Sequence, residues 1–318
     1  RPAAGGVRLF VFDFDQTLSV VHVFKSLAGW AEKQTPGTMK LPRPFACTEH
    51  GQLRRIEELS QTAPFRSEGF ASTLFGGARR VEQVRQFLRG LKELDSELII
   101  CTKGLVGAVR KVLSDLDLLD LFSEVYGNIG SEVYGDTPYD KSVMRTAITE
   151  EERRLLGGRE AANWGTKSDL IERLKLQRCL KNHQVVLIED DPEEIRRAAP
   201  VSRTHWVRDA AGIGPADMEA LRRLAMPPHT QAINMADYPP RPRDVETGLG
   251  LPNAGMLGRH GPAGKRRNPM AVPPLLAATP SPANSDRSAF DERAAKVPPR
   301  TRVRSEPAAH AAPTASTP

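Results

Sequence analysis

The stretch Val7 to Leu18, VRLFVFDFDQTL, limits the fold more than any other part of the chain. Its first half, Val7-Arg8-Leu9-Phe10-Val11-Phe12, is apolar except for Arg8. A run of this kind reads as a strand buried on both faces, as found in the middle of α/β sheets. Asp13 and Asp15 follow at once, then Thr17. A buried strand ending in Asp-x-Asp places two acids at its carboxyl end, which is where open α/β sheets bind ligands. Two carboxylates so close repel each other unless a cation or a proton lies between them. The pair alone is equally compatible with a capped strand end carrying solvated acids.

Three later stretches extend the pattern. Glu97-Leu98-Ile99-Ile100-Cys101 is a second apolar strand, followed by Thr102-Lys103-Gly104. Val185-Val186-Leu187-Ile188 is another, followed by Glu189-Asp190-Asp191. Between them, Lys167 opens a helical pattern. Each feature alone has an ordinary explanation: a strand end, a solvated lysine, an acidic helix start. The ordered set of strand-DxD, strand-Thr, Lys and strand-EDD resembles the haloacid dehalogenase superfamily of phosphohydrolases, over about residues 7 to 226.

The resemblance implies an α/β fold: a Rossmann-like three-layer sandwich around a parallel sheet of order 3-2-1-4-5, with a small cap inserted after the first strand. It implies Asp13 as the nucleophile that forms an aspartyl-phosphate. It implies Asp15 as the acid that protonates the leaving oxygen and then deprotonates water. Thr102 would donate its hydroxyl to a phosphoryl oxygen, and Lys167 would neutralise charge on nucleophile and phosphate. Mg²⁺ is the implied cofactor, held by Asp13, the backbone carbonyl of Asp15, and Asp190. A hard, oxygen-seeking ion that needs few protein ligands suits such a site. The choice of Asp190 also has a local reason. Asp191 precedes Pro192 and is occupied as a helix cap, so Asp190 remains at the strand tip with Glu189 as a helper. Lys103 is either a phosphate contact or a surface charge.

Composition divides the chain. From Pro227 to Pro318 there are 17 of the 26 prolines and only two aromatics, Tyr238 and Phe290. Such a segment cannot bury enough apolar surface to offset its ordering entropy, so residues 227–318 are expected to be a disordered tail. The remaining 220 or so residues suffice for one α/β domain with its own core. The net charge of +6 resides mostly in the tail; the front part is close to neutral. A weakly basic tail could touch nucleic acid, acidic membranes or acidic partners, but a soluble tail with no partner is the preferred reading, and no nucleic-acid partner is expected. Lys265-Arg266-Arg267 is too short a basic cluster to read as nuclear import. No apolar run reaches 18 residues, so no membrane span is expected. Cys47, Cys101 and Cys179 are few and far apart, which suits a reducing, cytoplasmic setting and gives no zinc motif. The chain opens at Arg1 without a Met, which leaves open whether a targeting segment precedes it. Oligomeric state is not legible.

Along the chain, apolar spacing predicts helices after Val20, over Gln52–Leu59, Val81–Leu94, Val106–Leu116 and Met218–Leu224. Thr149, Thr166 and Asp191 are predicted helix caps, and Phe122–Tyr126 and Thr204–Val207 are further strands. Residues 20–75 are expected to form the small irregular cap, leaving the site fairly open to a phosphorylated metabolite or a phosphoprotein. Trp30, Trp164 and Trp206 are expected to pack in core or cap. Two other readings remain. One is a catalytically silent scaffold whose tail binds a partner. The other is dehalogenation, against which Asp15 argues, because that chemistry needs no acid two residues after the nucleophile. An ion pump would need long apolar helices, which are absent.

Overall fold

The structure, a computed structural model, describes residues 6–130 and 134–227. The expected disordered tail lies outside the described residues, apart from Pro227 itself. Five parallel strands form one sheet of order β3-β2-β1-β4-β5: β1 (Leu9–Phe12), β2 (Glu97–Leu105), β3 (Glu124–Asn128), β4 (Val185–Glu189) and β5 (Arg203–Trp206). This is the expected order, with the first strand central.

The alternation of β1 builds the two outer layers. Phe10 and Phe12 face the larger core with Leu98, Ile100, Val186 and Ile188. Helices α4 (Ala78–Glu93), α5 (Val106–Asp115) and α11 (Pro215–Ala225) cover that face. Phe12 meets Phe87 and Phe122 edge-on, each pair adding roughly 0.5–1.5 kcal/mol beyond the burial itself. Leu9, Val11, Ile99, Val185 and Leu187 face the other way, onto α9 (Lys167–Gln177) and α10 (Pro192–Ala198). A strand with apolar residues at every position is stable only when both faces are covered, and here both are.

Three predicted caps are present. The Thr149 and Thr166 side chains accept from the backbone N–H three residues on, and Asp191 accepts from Glu193 N at 2.9 Å. Thr149 opens α7 (Glu150–Leu155). Other boundaries differ. The first helix starts at Val23 rather than Val20, as α1 (Val23–Leu27), because residues 14–22 are spent on a turn. The third strand begins two residues later than expected and runs through Gly127 to Asn128.

The stretch 20–75 is more helical than expected: it holds α1, α2 (Glu49–Ser60) and α3 (Phe70–Leu74). It is also joined by a second segment, after β3, which carries α6 (Pro138–Val143), α7 and α8 (Arg159–Ala162). The bond between the segments is polar. Asp140 is fully buried, and its carboxylate accepts from Thr48 N, Thr48 Oγ1, Cys47 N, Thr137 N and Thr137 Oγ1. Glu49 Oε1 accepts from Gly107 N (2.6 Å) at the start of α5 and from Gly157 N (2.7 Å) in the second segment. Arg54 pairs with Glu152 between α2 and α7. Among the described residues no helix is long and apolar enough to cross a membrane.

Candidate active site

Asp13 N donates to Ile188 O (2.9 Å), extending the pairing of β1 with β4 to the first acid. The chain then turns sharply. Phe14 O accepts from Leu18 N and Ser19 N, and Gln16 takes a left-handed conformation at φ 60°. A second loop backs the turn: Gly212 N donates to Gln16 O and Ile213 N to Thr17 O. Arg80 ties the two loops together by donating to Leu18 O, Phe75 O and Ile213 O. Burial lowers its guanidinium to about 10, and the three groups it donates to are carbonyls rather than acids. The acids therefore project from a turn fixed on both sides.

Lys167, first residue of α9, reaches Asp13 Oδ1 at 2.5 Å and also Glu189 Oε2. Lysine at a helix N-terminus opposes the helix dipole, and these two carboxylates are what hold it there. Burial alone would lower the Lys167 pKa; Asp13 and Glu189 more than offset it, and the group stays well above its usual value. Asp13 in turn is raised well above the ordinary carboxylate range, by burial first and by Glu189 second, with Lys167 opposing both. Asp190 is raised to about 6 by burial and by Glu189. The Thr17 hydroxyl donates to Asp190 Oδ1 at 3.4 Å.

Asp13, Glu189 and Asp190 thus each bring a carboxylate oxygen to within 4.8 Å of the others. One lysine against three buried or half-buried acids leaves negative charge uncompensated. Donor type, spacing and charge fit a hard divalent cation such as Mg²⁺. Glu189, expected only as a helper, lies in this cluster; Asp15 does not. Asp15 Oδ1 accepts from Val23 N (2.6 Å), and Oδ2 lies 3.1 Å from His22 Nδ1, a close contact without hydrogen-bond alignment. Its carboxyl group is therefore held by the start of α1, separate from the acid cluster.

Thr102 lies at the end of the regular part of β2, fully buried, its hydroxyl oxygen accepting from Gly104 N. A Cβ on Gly104 would lie 3.4 Å from Asp15 Oδ2, so the Thr102 turn and Asp15 are neighbours. Lys103 points outward and pairs with Glu194 at 2.9 Å. Trp206, expected to pack in core or cap, is 44 % exposed; its indole N–H donates to Asp190 O at 3.0 Å. Asp13, Asp15, Thr102 and Lys167 are each at most 8 % exposed, against the open site expected from an irregular insert. On the Asp15 side, α1 docks beside the carboxyl, and Tyr134 of the second segment packs on Phe24 of α1. Sequence reasoning missed His22 and Tyr134, which carry no motif or period; the place of Thr17 two residues after Asp15 was the only hint of its role.

No family model matches the chain, and no curated protein matches it. Solved structures to which it is similar include a haloacid dehalogenase-like family protein from Streptococcus pneumoniae, at 15% identity and TM-score 0.33, over 68% of this chain and 90% of that one. A predicted phosphatase from Clostridium acetobutylicum is 12% identical with TM-score 0.34, over 68% and 91%. The magnesium-bound hydrolase YfnB from Bacillus subtilis is 16% identical with TM-score 0.32, over 69% and 99%. In the molecule itself, acids end β1 and β4, a threonine ends the regular part of β2 and a lysine opens α9 around a sheet of order 3-2-1-4-5, the α/β arrangement expected from the resemblance to the haloacid dehalogenase superfamily.

Proposed function

We propose that the protein is a hydrolase of that superfamily, a Mg²⁺-dependent phosphatase acting on phosphomonoesters through an aspartyl-phosphate. The observation that carries this reading is the cluster at the strand ends: Asp13 bonded to Lys167, beside Glu189 and Asp190. Phosphoryl transfer needs a nucleophile, a proton donor and positive charge around the phosphoryl oxygens, and little else.

Asp13 attacks phosphorus. Its carboxylate oxygen forms the new P–O bond as the bond to the leaving oxygen breaks, and Asp15 gives that oxygen a proton. Val23 N–H holds the Asp15 carboxyl while this happens, with the His22 ring beside it. A water then loses a proton to Asp15 and attacks the same phosphorus, which releases inorganic phosphate and restores Asp13. Thr102 and Lys167 face the phosphoryl oxygens, and Lys167 keeps Asp13 from repelling the phosphate dianion. Asp13, Glu189, Asp190 and the Asp15 carbonyl would hold Mg²⁺, which when bound supplies Lewis-acid charge for the phosphoryl group. The substrate is a phosphorylated metabolite or phosphoprotein.

The test is phosphate release from p-nitrophenyl phosphate with Mg²⁺ and with EDTA. Hydrolysis that requires Mg²⁺ and disappears in Asp13→Asn is expected. Activity that survives Asp13→Asn, or no activity with any divalent ion, would overturn the assignment.

A further inference from the structure

The pairing of β2 with β3 is interrupted at one place. Cys101 pairs with Tyr126 and Leu105 with Asn128, so Thr102, Lys103 and Gly104 lie opposite the single residue Gly127. A Cβ on Gly127 would come within 2.9 Å of Gly104 O and 3.1 Å of Thr102 Cγ2, so only glycine lets the bulge lie there. A bulge of this size gives up ladder hydrogen bonds, and its shape must be held by other contacts. The Lys103 carbonyl shows what they are. It accepts from Asn128 Nδ2 at 2.6 Å and from Tyr134 Oη at 2.6 Å, while Asn128 Nδ2 also reaches Tyr134 Oη at 2.9 Å. The Tyr134 ring packs on Phe24, centroids 4.0 Å apart. Phe24 directly follows Val23, whose N–H holds Asp15.

We propose that Asn128 and Tyr134 are positioning residues, which hold the Thr102-Lys103-Gly104 bulge so that the Thr102 hydroxyl meets the phosphoryl group. The assignment rests on the phosphatase reading above. Because the Thr102 oxygen already accepts from Gly104 N, its proton is left to donate outward, and its direction depends on the bulge. Tyr134 touches both arms of the site: its hydroxyl holds the turn after Thr102, and its ring rests on the helix that holds Asp15. It therefore sets the phosphate-binding hydroxyl relative to the proton donor.

The experiment measures kcat and KM for p-nitrophenyl phosphate, and inhibition by inorganic phosphate, in Tyr134→Phe, Asn128→Ala and the pair. The same substitutions are then made on a Thr102→Val background. Tyr134→Phe keeps the ring on Phe24 and removes one oxygen. Partly hydrated hydrogen bonds are worth about two- to tenfold each, so the pair should lower kcat/KM by roughly 4–100-fold and weaken phosphate inhibition. On the Thr102→Val background they should cost less than about twofold more, because residues acting through one group are not additive. A loss that persists in full on that background would overturn the proposal, since it would mark a general effect on stability. So would a loss under about twofold in the wild-type background. A wild-type protein with no hydrolase activity would instead remove the phosphatase reading. Should the paired variant fail to fold, Tyr134→Phe alone carries the same comparison.

Discussion

Replacing Lys167 by Met tests the electrostatics of the site without reference to any substrate. Met is close in volume to the lysine stem, so packing is largely kept and the charge is lost. In the wild type the ammonium lies against Asp13 and Glu189, and the three side chains are between 2 and 6 % exposed. Without it, two buried carboxylates face each other and Asp190 with no cation. Removing one member of a buried ion pair costs about 3–5 kcal/mol, because the remaining charge stays buried and unpaired. For a domain of this size each kcal/mol lowers Tm by about 2–4 °C, so Lys167→Met should melt roughly 6–20 °C lower at neutral pH without added metal. The sign with pH follows from Asp13. Its folded pKa is already raised by burial and by Glu189, and losing the lysine raises it further. A carboxyl with a raised folded pKa contributes stability that is fully present below its unfolded pKa and is lost as pH rises through the folded value. The deficit of the variant should therefore shrink as pH falls and Asp13 takes up a proton. Thermal unfolding of both proteins in EDTA between pH 5 and 8 is the assay. A deficit below about 1 kcal/mol, or one independent of pH, would refute the argument that Lys167 compensates these acids.

Asp15→Asn should keep the nucleophile and lose the proton donor, lowering turnover by roughly 10²–10⁴-fold on an alkyl phosphate and less on an aryl phosphate; equal losses on both would show that Asp15 is not the acid. Asp190 is raised from 3.8 to about 6, so without metal it contributes stability that is present below about 3.8 and is lost as pH rises through about 6. A bound cation should reverse that loss, so the Mg²⁺-induced rise in Tm should be larger at pH 7.5 than at pH 5, and an equal rise at both would argue against Asp190 as a ligand. Asp140→Asn sets a new amide donor against Thr48, Cys47 and Thr137 donors and should cost about 3 kcal/mol in denaturant unfolding, detaching α6 from α2 without touching the strand ends.

The features legible in the sequence are those fixed by neighbours along the chain. The apolar run before Asp13 commits β1 to the middle of a sheet, because a strand without a polar face must be covered on both sides. The caps at Thr149, Thr166 and Asp191 each close a hydrogen bond within three residues, so spacing alone locates them. The acids at strand ends, and Lys167 at a helix start, are legible for the same reason. Contacts between distant residues carry no period. Lys167 lies 154 residues from Asp13 and 22 from Glu189, and only the parallel sheet makes Glu189 its second partner. Thr48 and Asp140 are 92 residues apart, so the joining of the two helical segments could not be read from either one. Tyr134 reaches Lys103 O only because three residues of β2 bulge against one of β3, a register decided by packing around Gly127. Neighbours along the chain mark Asp13, Asp15, Thr102 and Asp190 as polar groups at strand ends and Lys167 as a helix start; packing in three dimensions sets which of them share a charge, because a buried charge depends on whatever surrounds it in space.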